Sequence, residues 1–350
     1  MPWGSRRPLR TQNVFLVMTD GFRRQEMFDG VQESLINKEL GGIRSTDTVR
    51  KIFGRPSAKE RRETLMPFMW NIVAKQGQIY GNAEQGSPAT VTNGFNFSYP
   101  GYNETLTGYG DPRVDSNDPR PNPNETVFEW LNKMPAFNGR VAAFGAWERF
   151  HQIFNAERCG FPVSSAYESV TAGKMTDGLE VLNRLKLEMP KPWDFEPYDS
   201  LTYYSGREYF KANKPRLLYI SFGETDEYGH EGNYWAYLDA ARRYDTNLKD
   251  LWELAQSMPE YRDKTTMIML TDHGRGDDPH QWRDHGKGYK GAEKIWIAVI
   301  GPDTPAQGER VNCEAVTQSQ VAATIAALLG QDYNAHNPQA GKPLKDVIAK

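Results

Sequence analysis

Five short apolar runs constrain this chain more than any other feature: Val14–Thr19, Val141–Phe144, Leu217–Phe222, Met267–Thr271 and Ile295–Ile300. A strand with one wet face alternates apolar and polar residues. These runs are nearly continuous, the pattern of strands covered on both faces, as in parallel sheets. Amphipathic stretches separate them: Thr64–Gln76, Thr126–Lys133 behind an expected Asn124 cap, Tyr234–Gln256, and Gln318–Leu329 closed by Gly330. The expected architecture is α/β, a mostly parallel central sheet with helices on both faces. A further short strand is expected around Gln78–Gly81.

Two regions break the rhythm. Residues 96–123 are crowded with Gly, Pro, Asn and Tyr, and residues 157–208 hold few convincing strands. Both read as insertions into a single α/β domain over 1–350, the second being the better candidate for a small cap. With 42 Lys+Arg against 45 Asp+Glu and a net charge of -3, no global basic field draws in a nucleic acid polymer or an anionic membrane. No run approaches the roughly 18 to 20 apolar residues of a membrane span, so none is expected. Cys159 and Cys313 are far apart with no metal-binding spacing, and either pairing or freedom is compatible with a chain this long. Met1–Arg7 has no apolar segment behind its basic residues and is no secretory signal as it stands. An intracellular protein or a trimmed leader is expected.

Acidic residues and histidines gather directly after the expected strands. Asp20 follows the first, Asp226 and His230 the third, and Asp272-His273 the fourth, with His285 a little beyond. Loops at the carboxyl ends of parallel strands converge on one edge, where such sheets bind ligands. Each fragment has an ordinary alternative: Asp20-Gly21 is a common turn, and His230 between Gly229 and Glu231 could sit in a surface loop. Asp272-His273-Gly274 is stronger, because an acid–histidine pair at a buried strand end has desolvation to offset. Carboxylate mixed with imidazole suits Zn²⁺ first, with Mn²⁺ or Fe as the other candidates, over Mg²⁺ or Ca²⁺. Six ligands divide naturally between two divalent ions. His151 and His336 lack such a context and read as structural, and His280 is left open.

In order, Asp20, the segment Ser98-Tyr99-Pro100-Gly101-Tyr102-Asn103-Glu104-Thr105-Leu106-Thr107-Gly108, Asp226-x-x-x-His230, Asp272-His273-Gly274 and His285 resemble the signature of the alkaline phosphatase superfamily. The nearest likeness is to its nucleotide pyrophosphatase/phosphodiesterase-like branch, and Ala323–Gly330 is similar to the last helix of those enzymes. The resemblance implies an alkaline-phosphatase-like fold with Ser98 as nucleophile where many relatives have Thr. It implies one ion on Asp226, His230 and His285, and another on Asp20, Asp272 and His273 with Ser98 Oγ. Arg23, Asn117, Arg275 and Lys287 are candidate phosphate donors by their proximity to the motifs. The 78-residue interval from Asp20 to Ser98 is a departure, and Thr92, Thr105 and Thr107 are nearby hydroxyls. Ser98 is preferred for its Ser-Tyr-Pro step.

The activity implied is a two-metal phosphoester hydrolase, a phosphomonoesterase or phosphodiesterase, cleaving a small-molecule phosphate ester through a covalent phosphoserine. The family resemblance favours a periplasmic or secreted location. The alternatives are a sulfatase-like or phosphonate ester hydrolase, or a non-catalytic metal-binding envelope protein. Against an ordinary sulfatase, Ser98-x-Pro100-x-Tyr102 has Tyr where the formylglycine motif needs Arg.

Overall fold

In the computed structural model, which describes residues 8–349, eight strands form one sheet. They are β1 (Asn13–Thr19), β2 (Gln78–Tyr80), β4 (Val141–Gly145), β5 (Val163–Ser165), β6 (Leu217–Phe222), β7 (Thr265–Thr271), β8 (Ile297–Ile300) and β9 (Gly308–Glu309). Their order is β5-β4-β6-β1-β7-β8-β2-β9, and the short β3 (Ala89–Thr90) and β10 (Val316–Thr317) pair separately. Met1–Arg7, on which the leader reading rested, lies outside the described residues. Both cysteines are free.

The alternation of side chains along a strand explains why β1 has no polar face. Val14, Leu16 and Met18 enter one hydrophobic core, and Phe15 and Val17 enter the other, each almost fully buried. Tyr102 and Leu106 of the helix Ser98–Thr107, with Val321 and Ile325 of the helix Val321–Leu328, cover the first face. The opposite face is covered by Tyr203 and Phe210 of the helix Asp199–Asn213 and by Tyr237, Tyr244 and Leu251 of the helix Tyr234–Ser257. At roughly 1.5–3 kcal/mol for each large side chain buried, these two layers are the main stabilising term. Among the described residues no helix is long and apolar enough to cross a membrane.

Several expectations need correction. The run Ile295–Ile300 becomes regular strand only from Ile297, and it lies antiparallel to both β7 and β2. A parallel return needs a crossover, usually a helix; no α-helix lies between β7 and β8, so the chain comes back beside β7 in the opposite sense. Pro67 divides the expected helix Thr64–Gln76, because its ring disfavours helical geometry at Met66. One helix, Ala58–Leu65, ends before it, and a π-helical turn, Met69–Val73, follows. Thr126, rather than Asn124, caps the helix Val127–Asn132, its hydroxyl accepting from the Glu129 N–H. Asn124 instead accepts from Tyr109 and Arg113.

Both interruptions contain regular elements. The first contains the wholly buried helix Ser98–Thr107. The second supplies the edge strand β5 and the helices Asp177–Glu188 and Asp199–Asn213. Between those helices, Phe195 and Glu196 reach a cavity at the edge of the sheet.

Candidate metal centre and nucleophile

β6, β1 and β7 run parallel with Thr19 opposite both Phe222 and Thr271, so their carboxyl ends are level. That register brings Asp20, Gly223 and Asp272 to one edge. Just past Gly223 the helix Glu224–His230 begins, and its 3.6-residue period sets Asp226 and His230 on one face. The turn after β1 depends on Gly21, whose φ is +58° and whose N–H donates to Asp272 Oδ1 at 3.0 Å. A Cβ there would lie 2.5 Å from Asp226 Oδ1. Gly21→Val is therefore expected to cost about 1–3 kcal/mol in backbone strain and to weaken cation binding together. Denaturant melts and metal titration of the variant check both, and unchanged cation affinity would contradict the assignment.

His273 stands at the centre of the cluster. Its Nε2 is 3.1 Å from Asp20 Oδ1, 3.4 Å from Asp272 Oδ2 and 3.9 Å from Asp226 Oδ1. Its Nδ1 lies 2.8 Å from the Gly274 carbonyl, which can only accept, so Nδ1 keeps its proton in either state of the ring and Nε2 is the nitrogen that faces the carboxylates. His230 Nε2 approaches His285 Nε2 at 3.0 Å and Asp226 Oδ2 at 3.1 Å. Donor atoms of Asp20, Asp272 and His273, and of Asp226, His273 and His285, gather within 4.8 Å of one another. Ser98 Oγ joins the first group, 3.3 Å from His273 Nε2 and 3.5 Å from Asp20 Oδ1. All six expected ligands and Ser98 thus meet.

The donor set fits divalent cations. Asp272 Oδ2 is buried and accepts no hydrogen bond. Burial, and then the charge of Asp226, raises the Asp20 carboxyl above its ordinary range. Burial, and then Asp20, does the same more strongly to Asp272. At Asp226 burial is outweighed by Arg275, His230 and His285, which hold its carboxyl well below the usual range. At His273 burial disfavours the charged ring, but the charge of Asp272 and the bond to Asp20 prevail and lift it to about 9. Cations among these carboxylates would offset the repulsion, and those at His273 Nε2 must displace its proton. Affinity should therefore rise about tenfold per pH unit from 7 toward 9 and level off above it. Metal titrations at both pH values, with proton release followed, check this; an affinity independent of pH in that window would contradict it.

Other expected residues separate. Asn117 lines the cavity, and its Oδ1 accepts from the Tyr99 N–H at 3.0 Å. Arg23 turns inward, its Nε 2.9 Å from Glu26 Oε2. Arg275 is buried, held by Asp226, the Gly21 carbonyl and the Arg283 carbonyl. Lys287 is exposed and outside the cavity lining. Both buried guanidinium groups are thus committed to neighbouring acceptors. The hydroxyls of Thr92, Thr105 and Thr107 are committed as well, to Glu104, Gly101 and Asn103. His336 pairs with Glu125 at 2.5 Å, His151 pairs with Glu168, and exposed His280 takes no part in the site.

The cavity, of about 270 Å³, also holds Trp147, Glu148, Arg149, Phe195, Glu196 and Glu227, none of them anticipated. Trp147-Glu148-Arg149 closely follow β4, so the strand-end logic that found the ligands could have found them. Phe195 and Glu196 carry no such signal.

Comparison with known proteins agrees with this fold. Residues 182–333 match the family model described as the Metalloenzyme superfamily. The fold is that of the alkaline phosphatase/sulfatase superfamily, as expected from the ordered motifs. Alkaline phosphatase PafA superposes with a TM-score of 0.64 at 10% identity, over 99% of this chain and 100% of that one. A 2-O GAG sulfatase gives 0.59 at 14% identity, over 97% and 75%. Lipoteichoic acid synthase LtaP from Listeria monocytogenes gives 0.55 at 12%, over 96% and 74%. At these identities the likeness is one of fold, and no one branch is singled out. No curated protein matches the chain by sequence.

Proposed function

We propose that this chain is a two-cation phosphoester hydrolase in which Ser98 attacks phosphorus and carries a phosphoserine intermediate. The observation that supports this most is the position of Ser98 Oγ, in the cavity, beside His273 and Asp20, on the first residue of the ten-residue helix Ser98–Thr107. A helix amino terminus favours negative charge, here the developing alkoxide and the phosphate. When bound, divalent cations, Zn²⁺ first, supply Lewis-acid stabilisation of that alkoxide, the phosphate oxygens and the leaving oxygen.

The chain's own residues orient the reaction. Tyr102 donates to Asp20 Oδ2 at 2.9 Å and the Gly21 N–H to Asp272 Oδ1 at 3.0 Å, orienting the carboxylates on either side of His273, while Gln318 donates to the Asp272 backbone carbonyl at 2.7 Å. With its Oδ1 engaged by Tyr99, Asn117 has its amide N–H groups left to donate to a non-bridging phosphate oxygen, and Arg149, beside it in the lining, is a second donor. The Ser98 Oγ–P bond forms as the bond to the leaving alcohol breaks, and the serine proton leaves with that alcohol; water then cleaves the phosphoserine, its oxygen going to phosphorus and one of its protons to Ser98 Oγ.

A sulfatase reading is disfavoured because Tyr102, standing where the formylglycine motif needs Arg, spends its hydroxyl on Asp20. Turnover of a chromogenic aryl phosphate, an aryl phosphate diester and an aryl sulfate, before and after chelation, tests the proposal. Phosphate turnover should fall at least about a hundredfold in chelator and return with Zn²⁺ or Mn²⁺. Faster sulfate turnover, or full activity without cations, would reject it.

A further inference from the structure

We infer that the cavity selects phosphate esters whose alcohol carries a positively charged ammonium group, seated between Glu196 and the aromatic rings of Trp147 and Phe195. The inference rests on the phosphoester hydrolase reading of the same site. Its basis is the charge of the lining. Of the carboxylates there, Asp20 and Asp226 belong to the cation cluster and Glu148 pairs with Arg149. Among the described residues Arg149 is the one Lys or Arg in the lining; its Nε lies 2.9 Å from the Asn117 carbonyl and its guanidinium 5.8 Å from the centre of one face of the Trp147 ring. Glu196 and Glu227 are left facing the cavity without a Lys or Arg partner among the described residues.

Glu196 is the sharper case. It is 3% exposed, and its Oε1 is buried without a hydrogen bond. Neighbouring buried acids are provided for: Asp199 accepts from the Gly223 N–H at 2.7 Å, and Glu224 pairs with Arg243. A buried acceptor left unmatched inside a binding cavity asks for a donor from the ligand. Glu196 belongs to neither group of acids and histidines that gather within 4.8 Å. Alcohols carrying extra phosphate or carboxylate offer Glu196 and Glu227 no donor. An ammonium group gains from both the carboxylate and the aromatic faces. The Glu148 N–H donates to the Phe195 carbonyl at 3.1 Å, which ties the Trp147 segment to the Phe195-Glu196 segment.

The test compares choline phosphate with its isostere in which carbon replaces the ammonium nitrogen, and the aryl diesters of both. The holoenzyme should favour the charged member of whichever pair it hydrolyses by about tenfold or more in kcat/KM. Glu196→Gln should bring that ratio to within about threefold of unity while leaving the neutral isostere nearly unaffected. Trp147→Leu, which alters no carboxylate, should lower the same ratio. Equal kcat/KM for charged and neutral esters in the unmodified enzyme would overturn the inference and leave the hydrolase reading intact. Loss of a metal equivalent from Glu196→Gln would assign that carboxylate to an ion and overturn it too. Absence of turnover with these esters and with a chromogenic phosphate would overturn both readings.

Discussion

Ser98→Ala is expected to lower phosphate-ester turnover by at least about a thousandfold while both cation sites still fill. The hydroxyl bonds only to groups that keep other partners: Asp20 retains Tyr102 and His273, and His273 retains the Gly274 carbonyl. Its loss thus leaves no buried donor stranded, and stability should change by about 1 kcal/mol or less. Turnover and metal content, measured on one preparation, separate loss of the nucleophile from loss of the site. Thr92→Val, Thr105→Val and Thr107→Val serve as controls, since those hydroxyls bond within their own segment. A thousandfold loss in one of these with Ser98→Ala active would move the nucleophile.

Asp272→Ala should be as damaging by a different route. The side chain is fully buried, its Oδ1 accepts the Gly21 N–H, and its Oδ2 is free to bind a cation. Removal strands the Gly21 donor and takes away a ligand, so one metal equivalent and at least about a thousandfold in turnover should be lost. Asp272→Asn keeps an acceptor for Gly21 but not the charge; it should recover stability without recovering the ion. His336→Gln is the contrast. His336 pairs with Glu125 and stacks on Trp130, 42% exposed, and exposed pairs contribute little. Turnover should change by less than about threefold. Elemental analysis beside steady-state rates checks all three variants, and equal losses at Asp272 and His336 would mean the site lies elsewhere.

Much of this was legible in the chain because two regularities act together. Continuous apolar runs signalled strands buried on both faces, and the topology of parallel strands collected what followed them, so Asp20, Asp226, Asp272 and His273 could be placed together before any coordinates. Ser98 was reachable only through its Ser-Tyr-Pro step, since it begins a helix within a segment that reads as loop. The direction of β8 was hidden because periodicity reports burial and not strand sense. The partners of Arg23 and Arg275 were hidden for a related reason: both lie near the motifs in sequence, but the direction of a side chain is set by tertiary partners, Glu26 for one and Asp226 for the other. Glu196 and Phe195 reach the cavity from between two helices, where neither spacing nor strand order marks them.

The central claim is that Ser98 becomes covalently phosphorylated in a centre built from Asp20, Asp226, His230, Asp272, His273 and His285. Acid-quenching the metal-loaded enzyme during turnover and mapping phosphate by peptide mass spectrometry tests it most directly, because phosphoserine survives acid. The account predicts a single phosphorylated peptide with the modification on Ser98, absent from the Ser98→Ala variant. An active enzyme with no phosphopeptide at any quench time, or with the phosphate on another hydroxyl, would contradict it.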